Sequence, residues 1–530
     1  MNRKRLLMIF GLATVPLAIS AFVLQGQVSS TDGPKLFARV LQFVEQYSVD
    51  SLSNAEIYEK AARGLVKGLN DPYADLYSPD QLSSFQRNTL GNRYGGIGMQ
   101  IESQDGLITV TKVFPGTPGE RGGVQAGDRI LLVDTVSTAG MRIDEVSGRL
   151  TGPAGTTVSA TFGRAGVQDP IKMTFTRAVI EVPAVPFTVM LDDGVGYLLL
   201  QRFNESAGAQ MEKATRDLMA QGATSMILDL RGNPGGSLDQ ALEISNLFLQ
   251  PGAEIASVRH RGREPEVYRA NRKSIVDSTS IIVLVDNYSA SASEIVAGAL
   301  QDHDRALVVG VGSFGKGLVQ TLFPLEGGWA IKLTTGKWYT PSGRSIQGEH
   351  TQLADGRFVE YAPDSVESDS ARKARPIFHS AGGRLIYGGG GITPDVTVRQ
   401  DTLSDSEQEF LRTVGPKWPT VNATIYAYAR ELQGEATPDF AVTPEWLEGL
   451  SRRLETAEIP TVDGSYEAGA RFLARQLEQR VATLRFGDST AFRRQVPYDN
   501  QVQMALEYLR KGRTQRDLLA LAAQSGGPSN

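Results

Sequence analysis

A run of small residues in the second half of the chain could carry a hydroxyl nucleophile. From Ser289 to Ser293 serine alternates with alanine, directly after the apolar segment Ile281 to Val285. Small residues at a turn between a strand and a helix let one side chain project without crowding. A serine at such a turn more often caps the helix. The run alone therefore leaves two interpretations open, a helix cap and an exposed nucleophile.

A lysine further along the chain lies between two glycines, Gly315 and Gly317. Such a lysine is ordinarily a solvated loop residue. Because the apolar pair Leu318 and Val319 follows, the Lys316 side chain could instead point into a closed site. Burial there would lower the pKa of the amine toward neutrality and let it act as a general base.

A glycine-rich turn, Asp229 to Gly236, follows a predicted strand and precedes a predicted helix. Backbone N–H groups at such a turn face an anion, so a phosphate loop is one interpretation. The segment lacks the Gly-Lys-Ser/Thr ending of a P-loop, and its glycine spacing differs from a dinucleotide fingerprint. An oxyanion hole uses the same backbone geometry.

The amino-acid composition excludes several kinds of catalytic and binding site. The chain has no cysteine, which excludes a thiol nucleophile, disulfides and cysteine metal ligands. Its four histidines, His260, His303, His350 and His379, are not at metal-ligand spacing, so we expect no metal and no cofactor. The net charge of −5 argues against nucleic acid as a partner.

The N-terminus reads as a targeting segment. Asn2 to Arg5 is basic, and Leu6 to Leu24 is apolar over a length that just suffices to cross a bilayer. The small residues Ala18 to Ser20 would suit cleavage of a signal peptide instead. Residues 1–27 are therefore predicted to be a signal peptide or a membrane anchor. Either one places the protein in the cell envelope, periplasmic or extracytoplasmic.

The 530-residue chain is predicted to be multidomain α/β. A helical region is expected at 30–90, a glycine-punctuated strand region at 91–178, alternating strands and helices at 179–400, and a helical region at 401–530. Residues 345 to 385 are expected to form a long loop. The strands of the alternating region are predicted at Gly196 to Gln201, Thr224 to Leu230 and Ser280 to Val285, and its helices at Ala207 to Gln221, Leu238 to Leu249 and Ser291 to Gln301.

The region at 91–178 resembles a PDZ domain of the bacterial protease type. Tyr94 to Ile101, Val124 to Ile130 and Gly152 to Val158 follow one another in PDZ order. The glycines of the first segment could merely form a tight turn, but the second segment at PDZ spacing favours peptide binding. The resemblance implies a carboxylate-binding nest beside a strand edge that accepts a peptide. The predicted peptide-binding residues are Gly95, Gly96, Ile97, Gly98 and Met99.

The three glycine- and serine-rich segments, with Trp338 to Gly348 and Gly391 to Val396, resemble peptidase family S41, the C-terminal processing proteases. This resemblance implies a crotonase-like α/β protease core with an inserted PDZ domain and flanking helical regions. It further implies a serine endopeptidase that cleaves proteins near or from their C-termini after the PDZ domain captures the substrate tail.

The roles of individual residues also follow from the resemblance. Ser291 corresponds to the nucleophile, Lys316 to the general base and Gln320 to the residue that orients the lysine. The N–H groups of Gly236 and Ala292 correspond to the oxyanion hole, with Gly235 a less suitable donor than Gly236. His303 is the alternative base.

Three other functions remain open. They are a PDZ-bearing adaptor without activity, a crotonase-type acyl-CoA enzyme, and a Ser/His/Asp hydrolase, for which no Gly-x-Ser-x-Gly elbow is present. The expected partners are protein substrates with apolar C-terminal tails, an adaptor or regulator, and the membrane through residues 6–24. A homo-oligomer formed through the helical regions is a further hypothesis. Residues 401–530 could cap the core, dimerise or bind an adaptor.

Overall fold

The computed structural model describes residues 32–86, 91, 93–104, 107–164, 166–348, 369–400, 403–459 and 465–524. The signal peptide or anchor expected at 1–27 lies outside these residues, and so do residues 349–368 of the loop expected at 345–385. The expectation of a loop is wrong for the part that follows, which contains a short helix at Asp369–Lys373 and a strand at Ile377–His379. None of the helices within these ranges combines the length and apolar character that a bilayer crossing requires. The chain divides into two compact units, one made of residues up to Tyr77 with Leu322–Leu333, the other of the remaining residues.

The smaller unit contains two helices and a short strand. These are α1 (Gly33–Tyr47), α2 (Asn54–Lys67) and β1 (Asp75–Tyr77), and β1 pairs antiparallel with residues 330–332. Ser53 and Glu56 start α2 as a reciprocal capping box. The apolar stripe of α1 is exposed, with Phe37 and Phe43 each about half accessible.

The larger unit begins with α3 (Pro79–Phe85) and continues into a small β domain. The sheet of this domain has the order β3-β4-β5-β7-β8, so β3 lies at an edge. Its elements are β2 (Arg93–Gly96), β3 (Met99–Gln104), β4 (Leu107–Val113), α4 (Pro118–Arg121), β5 (Arg129–Val133), β6 (Val136–Ser137), α5 (Ile143–Leu150), β7 (Thr157–Gly163), β8 (Ile171–Thr176) and β9 (Ala178–Glu181).

A mainly parallel sheet forms the centre of the larger unit, in the order β10-β11-β12-β15-β16-β21. The predicted alternation of strands and helices is confirmed, with bounds within two residues of those expected. The elements are β10 (Thr188–Met190), β11 (Val195–Leu199), α6 (Ala207–Ala220), β12 (Ser225–Asp229), α7 (Leu238–Phe248), β13 (Glu254–His260), β14 (Glu266–Arg269), β15 (Ser280–Val285), α8 (Ala292–Asp302), β16 (Leu307–Gly310), β17 (Leu318–Pro324), β18 (Ala330–Tyr339), α9 (Asp369–Lys373), β19 (Ile377–His379), β20 (Leu385–Tyr387) and β21 (Val396–Thr397).

The C-terminal part is helical. Its elements are α10 (Asp405–Val414), α11 (Trp418–Leu432), α12 (Pro444–Thr456), α13 (Ser465–Phe486), α14 (Asp488–Gln495), α15 (Asn500–Lys511) and α16 (Gln515–Gln524). The helices α10 to α13 share one apolar core that includes Phe410, Ile425, Leu450 and Leu473. They therefore form a bundle with its own interior.

The central sheet is covered on both faces because its side chains alternate. In β15, Ile281, Val283 and Val285 join a core with α6, α7 and α8. Ile282 and Leu284 face the opposite way, into a core with α15 and α16. Of the roles left open for residues 401–530, covering the α/β core is the one that the last two helices perform.

The β domain contacts the C-terminal helices directly. Lys112 forms a 2.8 Å ion pair with Asp488, and the Arg129 guanidinium donates a 2.8 Å hydrogen bond to Thr420 Oγ1. A Cβ placed on Gly127 would lie 3.1 Å from the Cα of Ala423. The two backbones pack closely there because position 127 has no side chain.

One buried carboxylate organises the helical bundle. Glu407 is 1% exposed and accepts hydrogen bonds from Arg471 at 2.7 and 3.0 Å. It also accepts a 3.3 Å bond from Arg475 and a 2.9 Å bond from the Ser404 N–H. The Arg471 hydrogen bonds, with those from Ser404, lower the pKa of Glu407 to about 2.

We predict that Glu407→Gln lowers the free energy of unfolding by about 2 kcal/mol at neutral pH, because charge-assisted bonds are lost. Since the folded pKa is depressed, this stabilisation is complete above about pH 5 and disappears as the pH falls toward about 2. Denaturant unfolding at neutral pH and at about pH 3 measures both effects.

The control is Glu409→Gln on the same helix, where the carboxylate is 64% exposed and pairs with Arg412 at the surface. Exposed pairs contribute little, so this variant should unfold like the wild type. Equal losses in the two variants would contradict the prediction.

Candidate active site

Ser291 lies at the turn between β15 and α8, as the N-cap of the helix. Its φ of 56° and ψ of −111° place a non-glycine residue in a sparsely populated region of backbone space. Such strain persists only where neighbouring groups hold it. Here the Ser291 N–H donates to Glu294 Oε2 at 2.7 Å, and the Ala290 N–H donates to Asn233 O at 3.0 Å.

The glycine-rich loop after β12 packs against this turn. The Asn233 side-chain amide donates to Leu200 O at 2.7 Å, and its Oδ1 accepts from the Gly235 N–H at 2.9 Å. A Cβ on Gly235 would lie 2.9 Å from both Ser291 Cβ and Ala292 N. The loop and the serine turn are therefore in direct contact.

Two backbone N–H groups beside Ser291 are unused. Phe203 forms an isolated parallel β-bridge with Gly236. The Phe203 N–H donates to Gly235 O, and Phe203 O accepts from the Ser237 N–H. In this pattern the N–H of Gly236 itself points away from Phe203. Within the described residues, neither this N–H nor that of Ala292 has a hydrogen-bond partner. The Gly235 N–H is occupied by Asn233. The expected preference for Gly236 over Gly235 thus has a physical basis.

The loop that carries Lys316 is held through its backbone. The Lys316 N–H donates to Glu294 Oε2 at 2.9 Å, and its carbonyl accepts from Trp338 Nε1 at 2.9 Å. On either side, Gly317 O accepts from the Trp338 N–H at 3.0 Å and Gly315 O from the Gly348 N–H at 3.0 Å. The side chain of Lys316 is half-buried.

The structure does not join Gln320 to the lysine by a hydrogen bond. Gln320 lies in β17, and its Nε2 is buried without a partner among the described groups. An orphaned buried amide of this kind is costly. Its pairing with Lys316 therefore remains a proposal.

His303 is excluded as the base by its position. It follows the 11-residue helix α8 at the end opposite Ser291, roughly 18 Å away along the helix axis. Its Nε2 lies 2.7 Å from Glu254 O. Within the described residues no cluster of histidines and carboxylates could hold a metal.

Glu294 is the site residue that the sequence analysis missed. It is fully buried, and its carboxylate accepts hydrogen bonds from Ser291, Ser313, Gly315 and Lys316. Burial raises the pKa of Glu294 to about 6 against the opposing effect of these bonds. The sequence does contain a signal for this residue, because Ser291 and Glu294 have the spacing of a capping box.

The second predicted site lies at the edge of the β domain. Ile97 and Met99 are buried in its core, 2% and 8% exposed, beside Val146 of α5. Gly95 and Gly96 belong to β2, which pairs with β9. Among the described residues, the N–H groups of Ile97 and Gly98 have no partner, while their carbonyls accept from Gly119 and Phe114. These two N–H groups precede the open edge of β3.

Comparisons with known proteins identify two domains in the chain. Residues 194–353 match the model of peptidase family S41, and residues 109–164 match the model of the PDZ domain. The fold and these matches define a serine-type peptidase with a PDZ domain.

The carboxy-terminal-processing protease of Bartonella bacilliformis is 37% identical over 352 residues, 64% of this chain and 80% of that protein. The carboxy-terminal processing protease CtpA of Bacillus subtilis is 33% identical, over 63% of this chain and 72% of that protein. A solved structure of a photosystem II D1 C-terminal processing protease is 27% identical, over 60% of this chain and 91% of that chain, with a TM-score of 0.38. The chain belongs to peptidase family S41, among the C-terminal processing proteases.

We predict that Gly235→Ala lowers peptidase activity by at least about 100-fold, because its methyl group would displace the serine turn. The new Cβ would lie 2.6 Å from Ala290 O at a φ of +94°. The control is Gly232→Ala in the same loop, where φ is +66° but no atom lies within 4 Å. It should cost about 1 kcal/mol of stability and retain most activity. Equal activity in the two variants, measured by peptide cleavage, would contradict this account.

Proposed function

We propose that the protein is a serine endopeptidase that cleaves proteins near or from their C-termini, with Ser291 as nucleophile and Lys316 as general base. The observation that carries this proposal is the shared hydrogen-bond acceptor of the two residues. The backbone N–H groups of Ser291 and Lys316 both donate to Glu294 Oε2. The two residues are thus neighbours, although they belong to separate turns.

In the proposed reaction, the neutral Lys316 amine takes the proton of the Ser291 hydroxyl as Oγ attacks the scissile carbonyl carbon. The oxyanion accepts hydrogen bonds from the N–H groups of Gly236 and Ala292. Collapse breaks the C–N bond, and the Lys316 ammonium returns the proton to the leaving amine. Water, deprotonated by Lys316, then hydrolyses the ester to Ser291.

Gln320 is proposed to orient the lysine through a hydrogen bond between its side-chain amide and the Lys316 amine. The buried amide of Gln320, whose Nε2 lacks a described partner, is available for such an arrangement. Because strained or unpaired polar groups concentrate at functional sites, the orphaned amide supports this role. The core that carries these residues is inferred to be crotonase-like.

The PDZ domain is proposed to capture apolar C-terminal tails of protein substrates. A tail carboxylate would accept hydrogen bonds from the N–H groups of Ile97 and Gly98, and the tail would add to the β3 edge as a further strand. The unpaired N–H groups and the edge position of β3 support this mode.

An envelope location is proposed from the apolar segment Leu6 to Leu24, which lies outside the described residues. Binding of an adaptor and self-association through the helical regions are also proposed. The exposed apolar stripe of α1 supports a contact with another protein or with a second copy of this chain.

We predict that Ser291→Ala and Lys316→Ala each lower cleavage of a protein with an apolar tail by at least about 1,000-fold. Each removes a group that forms or breaks a bond in the first step. The control is Lys337→Ala, an exposed lysine on β18, which should cleave like the wild type. Full activity of Lys316→Ala would overturn the assignment of the base. Tail binding without cleavage by the wild type would favour an adaptor.

We also predict that tail binding depends on the free carboxylate. Full-length Ser291→Ala protein should bind a labelled apolar peptide at least about tenfold more tightly than the same peptide with a C-terminal amide, since charge-assisted bonds are lost. Fluorescence anisotropy measures both. Acetylation of the peptide N-terminus is the control and should change nothing. Equal affinity for acid and amide would refute carboxylate capture.

A further inference from the structure

The Glu294 carboxylate connects two separate turns of the chain. Its Oε2 accepts from the Ser291 N–H at 2.7 Å and from the Lys316 N–H at 2.9 Å. Its Oε1 accepts from Ser313 Oγ at 2.6 Å and from the Gly315 N–H at 2.6 Å. A single oxygen atom therefore fixes how far apart the backbones of Ser291 and Lys316 can lie.

Helix capping alone does not explain this arrangement. A capping box requires one bond from the glutamate to the N-cap N–H, which is the bond to Ser291. The other three donors belong to residues 313–316, outside α8. A fully buried carboxylate is costly unless its hydrogen bonds are satisfied, and these bonds together offset the cost of burying Glu294.

Ser313 extends the connection to a third segment. Its hydroxyl donates to Glu294 and accepts from the Ile392 N–H at 2.6 Å, and its own N–H donates to Ile392 O at 3.1 Å. Ser313 thus anchors the lysine loop to the segment before β21. Its loss would disturb that anchor but leave both bonds to Oε2.

We propose that Glu294 is a positioning residue for catalysis, whose carboxylate holds Ser291 and Lys316 at the separation that proton transfer between them requires. This inference rests on the proposed Ser291/Lys316 chemistry. Glu294 touches neither the substrate nor the transferred proton. It acts through the backbone N–H groups of the two reacting residues.

The test compares Glu294→Gln with Ser313→Ala in the full chain. A glutamine has one oxygen and one NH2 group. In one orientation the N–H groups of Ser291 and Lys316 lose their acceptor, and in the other the NH2 group opposes the Gly315 N–H and displaces the backbone next to Lys316. We expect kcat of Glu294→Gln to fall about 10- to 100-fold, with KM and tail-peptide affinity unchanged, because misplacement by a fraction of an ångström slows proton transfer. Ser313→Ala should keep kcat within about fivefold, since the two bonds to Oε2 remain.

Thermal stability separates positioning from a merely structural role. Ser313→Ala leaves the Ile392 N–H unpaired and should lose at least as much stability as Glu294→Gln, although it keeps its kcat. A loss of kcat that follows the loss of stability in both variants would overturn the proposal. Should Glu294→Gln not fold, Glu294→Asp retains the charge but is one methylene too short, and it should show the same fall in kcat.

Different results would overturn the Ser291/Lys316 chemistry and the positioning role of Glu294. Activity that survives Ser291→Ala or Lys316→Ala would remove the underlying function. Activity abolished in those variants but retained in folded Glu294→Gln and Glu294→Asp would overturn the positioning role alone.

Discussion

The candidate site depends on the close approach of two backbone turns at the carboxyl ends of β12 and β15. The loop after β12 can reach the serine turn only because Gly235 and Gly236 lack side chains, and a Cβ on Gly236 would lie 2.3 Å from Phe203 O. Because these two turns meet through backbone, the N–H groups of Gly236 and Ala292 face a small space that contains no side chain of the described residues. The same approach holds the strained Ser291 from both sides.

Much of the fold could be predicted because local patterns determine it. The apolar residues of β15 form a run bounded by polar residues, as expected for a strand buried on both faces, and its predicted bounds were right. The roles proposed for Ser291 and Lys316 rest on motif resemblance, since serine and lysine are common residues with many ordinary roles. The preference for Gly236 over Gly235 as an oxyanion donor also rests on the resemblance, and its physical reason is that the Gly235 N–H already donates to Asn233.

The features that could not be predicted depend on contacts between segments far apart in the chain. Sequence periodicity carries no information about such contacts. Glu294 resembles an ordinary capping residue until the loop at 313–316 is folded against it. The contact between Gly127 and Ala423 joins segments almost 300 residues apart, and no local signal marks either residue. His303 illustrates the converse, because a helix fixes its distance from Ser291 and its position alone removes it as a base.

The cover that α15 and α16 provide for the central sheet has a consequence for biosynthesis. Ile282 and Leu284 face these helices, which are made more than 200 residues after β15. During translation, one face of the sheet therefore has no partner until the last helices have left the ribosome. The second face of the central sheet is buried only at that point, and until then its apolar side chains are exposed to non-native contacts in the nascent chain.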